Sequence, residues 1–205
     1  MRKLHIIPIV HSRQDLGSLD EPLNDFKSKI LTTEALRSSR NAVENFWREL
    51  RFGIESWPIA FNQMMLYQDA LPFTGHPDRA IEHQIVRDLS AKGSPNHQLL
   101  EWLMEQGAIL VGTESTELLL KEYEAVRKSL AEGFRGFEDD SDNEPFHSSL
   151  LKQRDQFIAH RIADTLLENQ VGILFIGMLH RVEEFLDDSI AVEHPFGRPR
   201  TIAKA

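Results

Sequence analysis

The sequence predicts a layered α/β fold: a mostly parallel β-sheet of four to five strands with helices on both faces. Three observations lead to this class. The length of 205 residues is that of one domain. The composition, 41% hydrophobic and 27% charged, is typical of a globular chain with a substantial core. Short apolar runs alternate along the chain with stretches of helical periodicity, which indicates strand–helix–strand units whose right-handed crossovers cover both faces of the sheet.

Four apolar runs predict buried strands, and a fifth predicts a short strand near an edge. The runs at residues 4–10 and 171–177 are almost continuously apolar, as expected for central parallel strands that are covered on both sides. The runs at residues 64–68, 108–112 and 189–193 are shorter. We therefore place the first and last long runs at the centre of the sheet.

Apolar residues at helical spacing fill the intervals between these runs, and each stripe predicts a helix with one buried face. The stripes consist of Leu36, Val43, Trp47, Leu50 and Ile54; of Ile81, Ile85 and Leu89; of Leu99, Leu100 and Leu103; of Leu119, Tyr123, Val126, Leu130 and Phe134; and of Leu151, Ile158, Ile162 and Thr165. Pro95 and Asn96 are a start signal for the third helix of this series.

Two polar segments interrupt the pattern. Residues 137–148 are acidic and contain proline and asparagine, which predicts either a solvated loop or a lid over a site. Residues 194–205 contain two prolines and a glycine, and they predict a carboxyl-terminal tail that follows a single domain at residues 1–193.

Composition excludes several function classes. A formal charge of −9 disfavours nucleic-acid binding, because phosphate backbones are repelled. With no cysteine there is no disulfide, thiolate metal site or cysteine nucleophile. No apolar run is long enough to cross a bilayer and no signal peptide is recognisable, so a cytoplasmic protein without membrane partners is expected. Motifs for P-loop, dinucleotide and serine-hydrolase sites are also missing.

Each of the four main predicted strands is followed by a residue that can do chemistry. These residues are His11, Asp69, Glu114 and His180. Because the carboxyl ends of parallel strands meet at one edge of a sheet, we expect all four in one cleft. Imidazoles and carboxylates bind divalent metals where thiolates are absent, and they also act as general acids and bases near pH 7. The simpler explanations are that turns are polar and that a helix start favours a carboxylate such as Glu114.

Two arginines lie on the helix predicted before the fourth strand. Arg154 and Arg161 are spaced so that they share a helix face. A guanidinium matches carboxylate and phosphate groups, which predicts binding of an anionic group or of a developing oxyanion. A surface ion pair is the alternative.

The same region carries a recognisable motif pair: Arg154-Asp155 with Ala159 on the helix, and Gly177-x-x-His180 at the strand end. It resembles the carboxyl-terminal signature of the erythromycin-esterase, TraB/TIKI and ChaN-like superfamily, R-[DN]-x-x-[MI]-A followed by G-x-x-H. In that superfamily strand one also ends in a histidine, usually in G-x-x-H; the counterpart here is His11, with Pro8 in place of the glycine. The resemblance covers the carboxyl-terminal segment well and the rest of the chain only by layout.

The resemblance implies an α/β fold in which two histidines face each other across a cleft. Members include hydrolases of esters or peptides, some of them metal-dependent, and haem-binding proteins, so the resemblance alone does not define the activity.

These observations together predict a hydrolase, metal-assisted or not, that acts on a small molecule. The alternatives are a non-catalytic protein that binds a small molecule or haem in the same cleft, and an interaction subunit whose acidic face meets a basic partner. A divalent metal and haem are the two candidate cofactors, and the sequence leaves open whether the chain forms a homo-oligomer. The candidate residues are, for catalysis, His11, Glu114, Arg154 and His180; for substrate binding, Asp69 and Arg161; and for a metal, His11, Glu114 and His180.

Overall fold

The structure, a computed structural model, describes residues 1–76, 79–131 and 144–197, with only the backbone described at 144–147. Five strands form one sheet in the order β3-β2-β4-β1-β5, and every pairing is parallel. The strands are Arg2–Ile9 (β1), Met65–Gln68 (β2), Ile109–Val111 (β3), Val171–Gly177 (β4) and Ile190–Glu193 (β5). The predicted layered α/β class is confirmed, including the edge position of the last strand.

The paired strands β1 and β4 form the centre of the sheet, and their side chains alternate between two separate cores. Ile7 and Phe175 pair in register and belong to one core, whereas Ile6 and Leu174 belong to the other. Successive side chains of a strand point to opposite faces, so a strand covered on both sides is apolar at nearly every position. This explains the continuous apolar runs at both ends of the chain.

Helices cover both faces of the sheet. Helices α2, α3 and α4 contribute Leu50, Val86 and Leu100 to the core that contains Ile7, and α6 contributes Ile158 to the opposite core. The helices are Asp20–Ile30 (α1), Thr33–Glu55 (α2), Ala80–Ala91 (α3), Pro95–Glu105 (α4), Thr116–Ala131 (α5) and Glu144–Thr165 (α6), with 3₁₀ segments at Arg13–Leu19 and Val182–Phe185.

Two helical segments differ from the prediction. The first 3₁₀ segment and α1 were not among the predicted helices, although Leu23, Phe26 and Ile30 recur at helical spacing in α1; neither segment contains a buried residue. The segment 137–148 was predicted as a loop, yet α6 already begins at Glu144. Pro145 is compatible with this start, since proline is tolerated in the first turn and a carboxylate there suits the helix dipole. The remainder of that predicted loop or lid, residues 137–143, lies outside the described residues, as does Phe134 of the fifth stripe.

The beginning of the predicted tail packs against the domain. His194 Nε2 lies 2.9 Å from Glu183 Oε2, and the ring of Phe196 contacts Trp57 edge to face at 5.6 Å between centroids. Residues 198–205 lie outside the described residues. Among the helices of the described segments, none has both the length and the apolar composition of a membrane span.

Candidate active site

A cleft of about 690 Å³ opens at the carboxyl ends of β1, β2 and β4. Three of its lining residues follow these strands directly: His11, Asp69 and His180. Arg154 reaches the same cleft from α6. The parallel topology therefore brings together four of the residues that the sequence singled out.

Asp69 is the centre of the group. Its Oδ2 accepts a hydrogen bond from the backbone N–H of Gly177 at 2.9 Å, and its Oδ1 accepts one from Arg154 Nη2 at 2.8 Å. Two imidazoles approach the same carboxylate: His11 Nε2 lies 3.6 Å from Oδ2, and His180 Nε2 lies 3.7 Å from Oδ1. Both histidines are thus close to one carboxylate, as their positions after central strands predicted.

The carboxylate of Asp69 is ionised at neutral pH. Burial alone would raise its pKa, but the hydrogen bond with His11 and the charges of His180 and Arg154 hold the pKa of Asp69 far below its usual range. The floor of the cleft therefore carries the negative charge of Asp69, and two imidazoles and one guanidinium surround it.

His180 is held in one orientation by Asp155. Its Nδ1 lies 2.5 Å from Asp155 Oδ1, and Asp155 Oδ2 accepts the backbone N–H of Arg181 at 2.8 Å. This leaves Nε2 of His180 facing Asp69. A carboxylate behind a histidine orients the ring and stabilises its protonated form. Burial by itself would lower the pKa of His180, but Asp155 and Asp69 outweigh it, so the pKa of His180 is raised.

His11 differs from His180 in its access to solvent. The side chain of His11 is 41% exposed, whereas that of His180 is 5% exposed. The hydrogen bond to Asp69 raises the pKa of His11, and partial burial opposes this effect. His11 can therefore exchange a proton with water while it remains next to the buried side chains of Asp69 and His180.

Arg154 is enclosed by carboxylates. Its Nε donates to Glu114 Oε2 at 3.1 Å, its Nη1 donates to Glu122 Oε2 at 2.7 Å, and its Nη2 bonds both Asp69 and Glu114. Buried carboxylates need such a partner, because an uncompensated charge in the interior is costly. The predicted role of Arg154 toward an anionic substrate group or a developing oxyanion stays a prediction; in this structure the side chain is almost fully buried and donates to the protein's own acids.

Glu114 lies behind Arg154 rather than in the wall of the cleft. It is fully buried, it bonds Arg154, and its Oε1 accepts the backbone N–H of Ala70 at 3.3 Å. Burial raises the pKa of Glu114 while Arg154 opposes that rise. Glu114 therefore supports the cleft through Arg154, and its predicted role as a metal ligand or water-activating residue stays a prediction.

Arg161 does not belong to this group, which corrects its predicted role in substrate binding. Its Nε donates to the carbonyl of Gly112 at 3.3 Å, and its guanidinium lies 3.7 Å from the ring centroid of Phe73. Arg154 and Arg161 share a helix face, but seven residues separate them by about 10 Å along the axis. Within the described segments, only Arg154 of the two lines the cleft.

Three residues of the site were not assigned a role from the sequence. Asp155 was visible only as part of the motif, because its partner His180 is distant in sequence. Gln68 and Asn96 line the cleft and are buried, yet Gln68 Oε1 and both amide atoms of Asn96 have no hydrogen-bond partner among the described residues. The sequence signal for Gln68 was its position at a strand end, and Asn96 was noted only as part of a helix start.

One set of side chains fits a divalent cation. Atoms of Asp69, Glu114 and His180 lie within 4.8 Å of one another, and this donor set suits hard and borderline metals. The set differs from the predicted one, because Asp69 replaces His11. Both carboxylates already accept hydrogen bonds from Arg154, so an ion would have to share them with a guanidinium.

Searches of protein-family models, of curated proteins and of solved structures found no match for this chain. The resemblance of the two motifs to the esterase and haem-binding superfamily therefore remains a prediction, and the function is argued from the cleft.

Proposed function

We propose that this chain is a hydrolase of ester or amide bonds that uses His180 and His11 as general base and general acid. One observation carries the proposal: Asp155 orients His180 so that its Nε2 faces the cleft beside Asp69, where His11 also converges. Two imidazoles near one buried carboxylate are suited to moving protons near neutral pH.

The proposed step is the addition of water to a carbonyl carbon. Neutral His180 removes a proton from the water at Nε2, and the oxygen bonds to the carbonyl carbon. Protonated His11 then donates its Nε2 proton to the leaving oxygen or nitrogen as the bond to carbon breaks. Asp69 stabilises the positive charge that moves between the two rings, and Asp155 keeps His180 in the required orientation.

The assignment of base and acid follows from the difference in burial. His180 is enclosed and oriented, so its lone pair meets a water molecule in a defined position. After each turnover the proton taken up by His180 passes to His11 along the carboxylate of Asp69, which both rings approach. This transfer restores neutral His180 and protonated His11, and His11 at the mouth exchanges protons with solvent. The pKa of His11 is raised by Asp69, and that of His180 is raised because Asp155 and Asp69 outweigh the effect of burial, so the site stabilises the protonated form of each ring.

Metal-assisted hydrolysis is the second candidate, and the grouping of Asp69, Glu114 and His180 supports it. A divalent ion in this position would lower the pKa of a bound water. The guanidinium of Arg154 competes with a metal for this site, because it already donates hydrogen bonds to both carboxylates of the set and its single positive charge offsets part of their negative charge.

The proposal is tested by hydrolysis of p-nitrophenyl esters, from acetate to octanoate, and of the matching anilides. We expect turnover by the wild type and a loss of about 10²–10⁴-fold in kcat/KM for His180→Gln, the usual contribution of a general base. His160→Gln is the matched control, since His160 lies on α6 with a side chain that is 75% exposed. It should retain wild-type rates.

Three outcomes separate the alternatives. Equal rates for the wild type and His180→Gln would overturn the acid–base proposal. Activity that disappears in EDTA and returns with one divalent ion would establish the metal-assisted candidate instead. A wild type that hydrolyses nothing in the panel and takes up haem with a change in its visible spectrum would support the non-catalytic alternative.

A further inference from the structure

A second cavity of about 730 Å³ lies next to the cleft, between the first 3₁₀ segment, α1 and α2. The two cavities share His11, Leu16 and Leu23 in their walls. A molecule bound at His11 can therefore extend into the second cavity. The proposed mechanism leaves this space without a role.

The lining of the second cavity is basic in a chain that carries a formal charge of −9. Its acidic members are Asp20 and Glu44. Its basic members, apart from His11, are Arg13, Lys27, Arg40, Arg48 and Arg51. The cavity is thus locally positive on an acidic molecule, which favours an anionic ligand.

Two of these arginines have neutral hydrogen-bond partners, although the charge of Arg40 also helps to lower the pKa of Asp20 in the same wall. Arg40 donates to the amide oxygen of Asn24 at 3.2 Å, and Arg48 donates to that of Asn45 at 2.8 Å. Both hydrogen-bond partners are neutral. By contrast, Arg13 forms a two-point ion pair with Asp20, and Arg51 pairs with Glu55. Arg40 and Arg48 are therefore the side chains best placed to bind an anion.

Part of the remaining wall is apolar, beside polar residues such as Ser39 and Gln98. Leu31, Leu36, Val43 and Trp47 line the cavity, and Trp47 is fixed by a hydrogen bond from its Nε1 to the carbonyl of Val10 at 3.1 Å. Charged donors above an apolar wall match a ligand that has an anionic group on a hydrocarbon chain.

We propose that the second cavity binds the anionic end of an extended substrate, a carboxylate or a phosphate carried on an apolar chain, while the bond to be hydrolysed lies beside His11. This inference rests on the proposed function, whose substrate class it specifies. Arg40 and Arg48 select for the charge, and the shared wall at His11 sets the separation between the charge and the reacting carbonyl.

The catalytic test compares two substrates that differ only in charge: the mono-p-nitrophenyl ester of octanedioic acid, and the same compound with its free carboxylate methylated. We expect kcat/KM to be about tenfold higher for the anionic ester, as one charge-assisted contact would give. The double variant Arg40→Gln/Arg48→Gln should abolish this preference.

Arg37→Gln is the matched control. Arg37 lies on α2 with Arg40 and Arg48 and is exposed like them, but it does not line the cavity. It removes one positive charge without touching the proposed site. Since all three positions are exposed, thermal unfolding of each variant should match the wild type.

A binding test that needs no turnover separates this inference from the proposed function. Calorimetric titrations with octanoate, octyl phosphate and octanol should show binding of an anion, and a loss of about tenfold or more in its affinity for the double variant only. The first two compounds distinguish carboxylate from phosphate ligands. Anion binding without any ester hydrolysis would overturn the hydrolase and uphold the cavity. Hydrolysis with no charge preference, equal affinity for octanol, or an equal loss in Arg37→Gln would overturn the cavity proposal.

Discussion

Asp155 shows how a residue outside the cleft can control the chemistry inside it. It uses one carboxylate oxygen for His180 Nδ1 and the other for the backbone of Arg181, so the ring and the turn that carries it are held together. We describe Asp155 as a positioning residue, because it acts on a substrate only through His180.

Asp155→Asn should lower kcat/KM by about 10²–10⁴-fold with little change in KM, because an amide no longer selects the orientation and protonation of the imidazole. Asp155 contributes to the raised pKa of His180, so its removal should also move the acidic limb of the pH–rate profile to lower pH. A variant with reduced rates but an unshifted acidic limb would contradict the positioning role and indicate structural damage only.

Glu114→Gln separates a supporting role from a metal-binding role at a single residue. Because Glu114 is the buried partner of Arg154, the variant should lose about 3 kcal/mol of unfolding free energy. Activity per folded molecule should stay near that of the wild type, since Glu114 does not line the cleft. The measurements are urea unfolding and rates corrected for the folded fraction. Near-native stability with activity lost by orders of magnitude would instead indicate a metal ligand.

At the residue scale, the sequence predicted which residues lie at the site better than it predicted what each of them does. The rule that ligands bind at the carboxyl ends of parallel strands brought His11, Asp69 and His180 into one site. It could not show that the guanidinium of Arg154 would hydrogen-bond the carboxylates of the protein itself. The prediction for Arg161 came from a helix face shared with Arg154, and a shared face says nothing about distance along the helix axis.

The element that shapes the site most closely is β4 with its terminal residue, Gly177. A Cβ added to Gly177 would lie 3.0 Å from Asp69 Oδ2 and 3.6 Å from His180 Cδ2. The backbone N–H of the same residue anchors Asp69. The end of β4 thus sets the positions of the two groups by close backbone approach, which is the reason for a glycine here.

Gly177→Ala should reduce kcat/KM by at least tenfold while the protein stays folded, because a displacement of a few tenths of an ångström disturbs an oriented catalytic group. Gly172→Ala on the same strand is the control. Its Cβ would meet Tyr67 and Leu4 in the core at 3.0 and 3.1 Å, so it should lower stability by about 1–3 kcal/mol and leave activity per folded molecule intact. If both variants lost activity in proportion to stability, the specific role of Gly177 would be wrong.

Whole elements were predictable where burial gives a periodic pattern. The strands β1 and β4 are buried on both faces, and α2 buries Trp47, Leu50 and Ile54 at helical spacing, so their residues repeat visibly. Helix α1 was missed although Leu23, Phe26 and Ile30 recur at helical spacing; it buries no residue and forms a wall of the second cavity. The start of α6 was missed because proline and acidic residues occur both in loops and in first turns of helices.

At the scale of the whole molecule, the charges of the cleft are coupled to folding. Asp69 has a pKa below its unfolded value, so its contribution to stability is present above about pH 4 and is lost as the pH falls. His180 has a pKa above the usual histidine value of about 6.5, so its contribution is complete below that value and is lost as the pH rises through the folded pKa. The two contributions coexist in the mildly acidic range between these limits.

The last prediction therefore concerns the difference in unfolding free energy between the wild type and His180→Gln as a function of pH. Glutamine keeps polarity but cannot take the charge that Asp155 and Asp69 stabilise, so the wild-type advantage should be largest near pH 6 and should shrink toward pH 9. Urea unfolding at both limits measures it, and His160→Gln, an exposed histidine, should show a small, flat difference. A wild-type advantage that grows with pH would mean that His180 is buried neutral, which would remove the carboxylate-supported imidazole on which the mechanism depends.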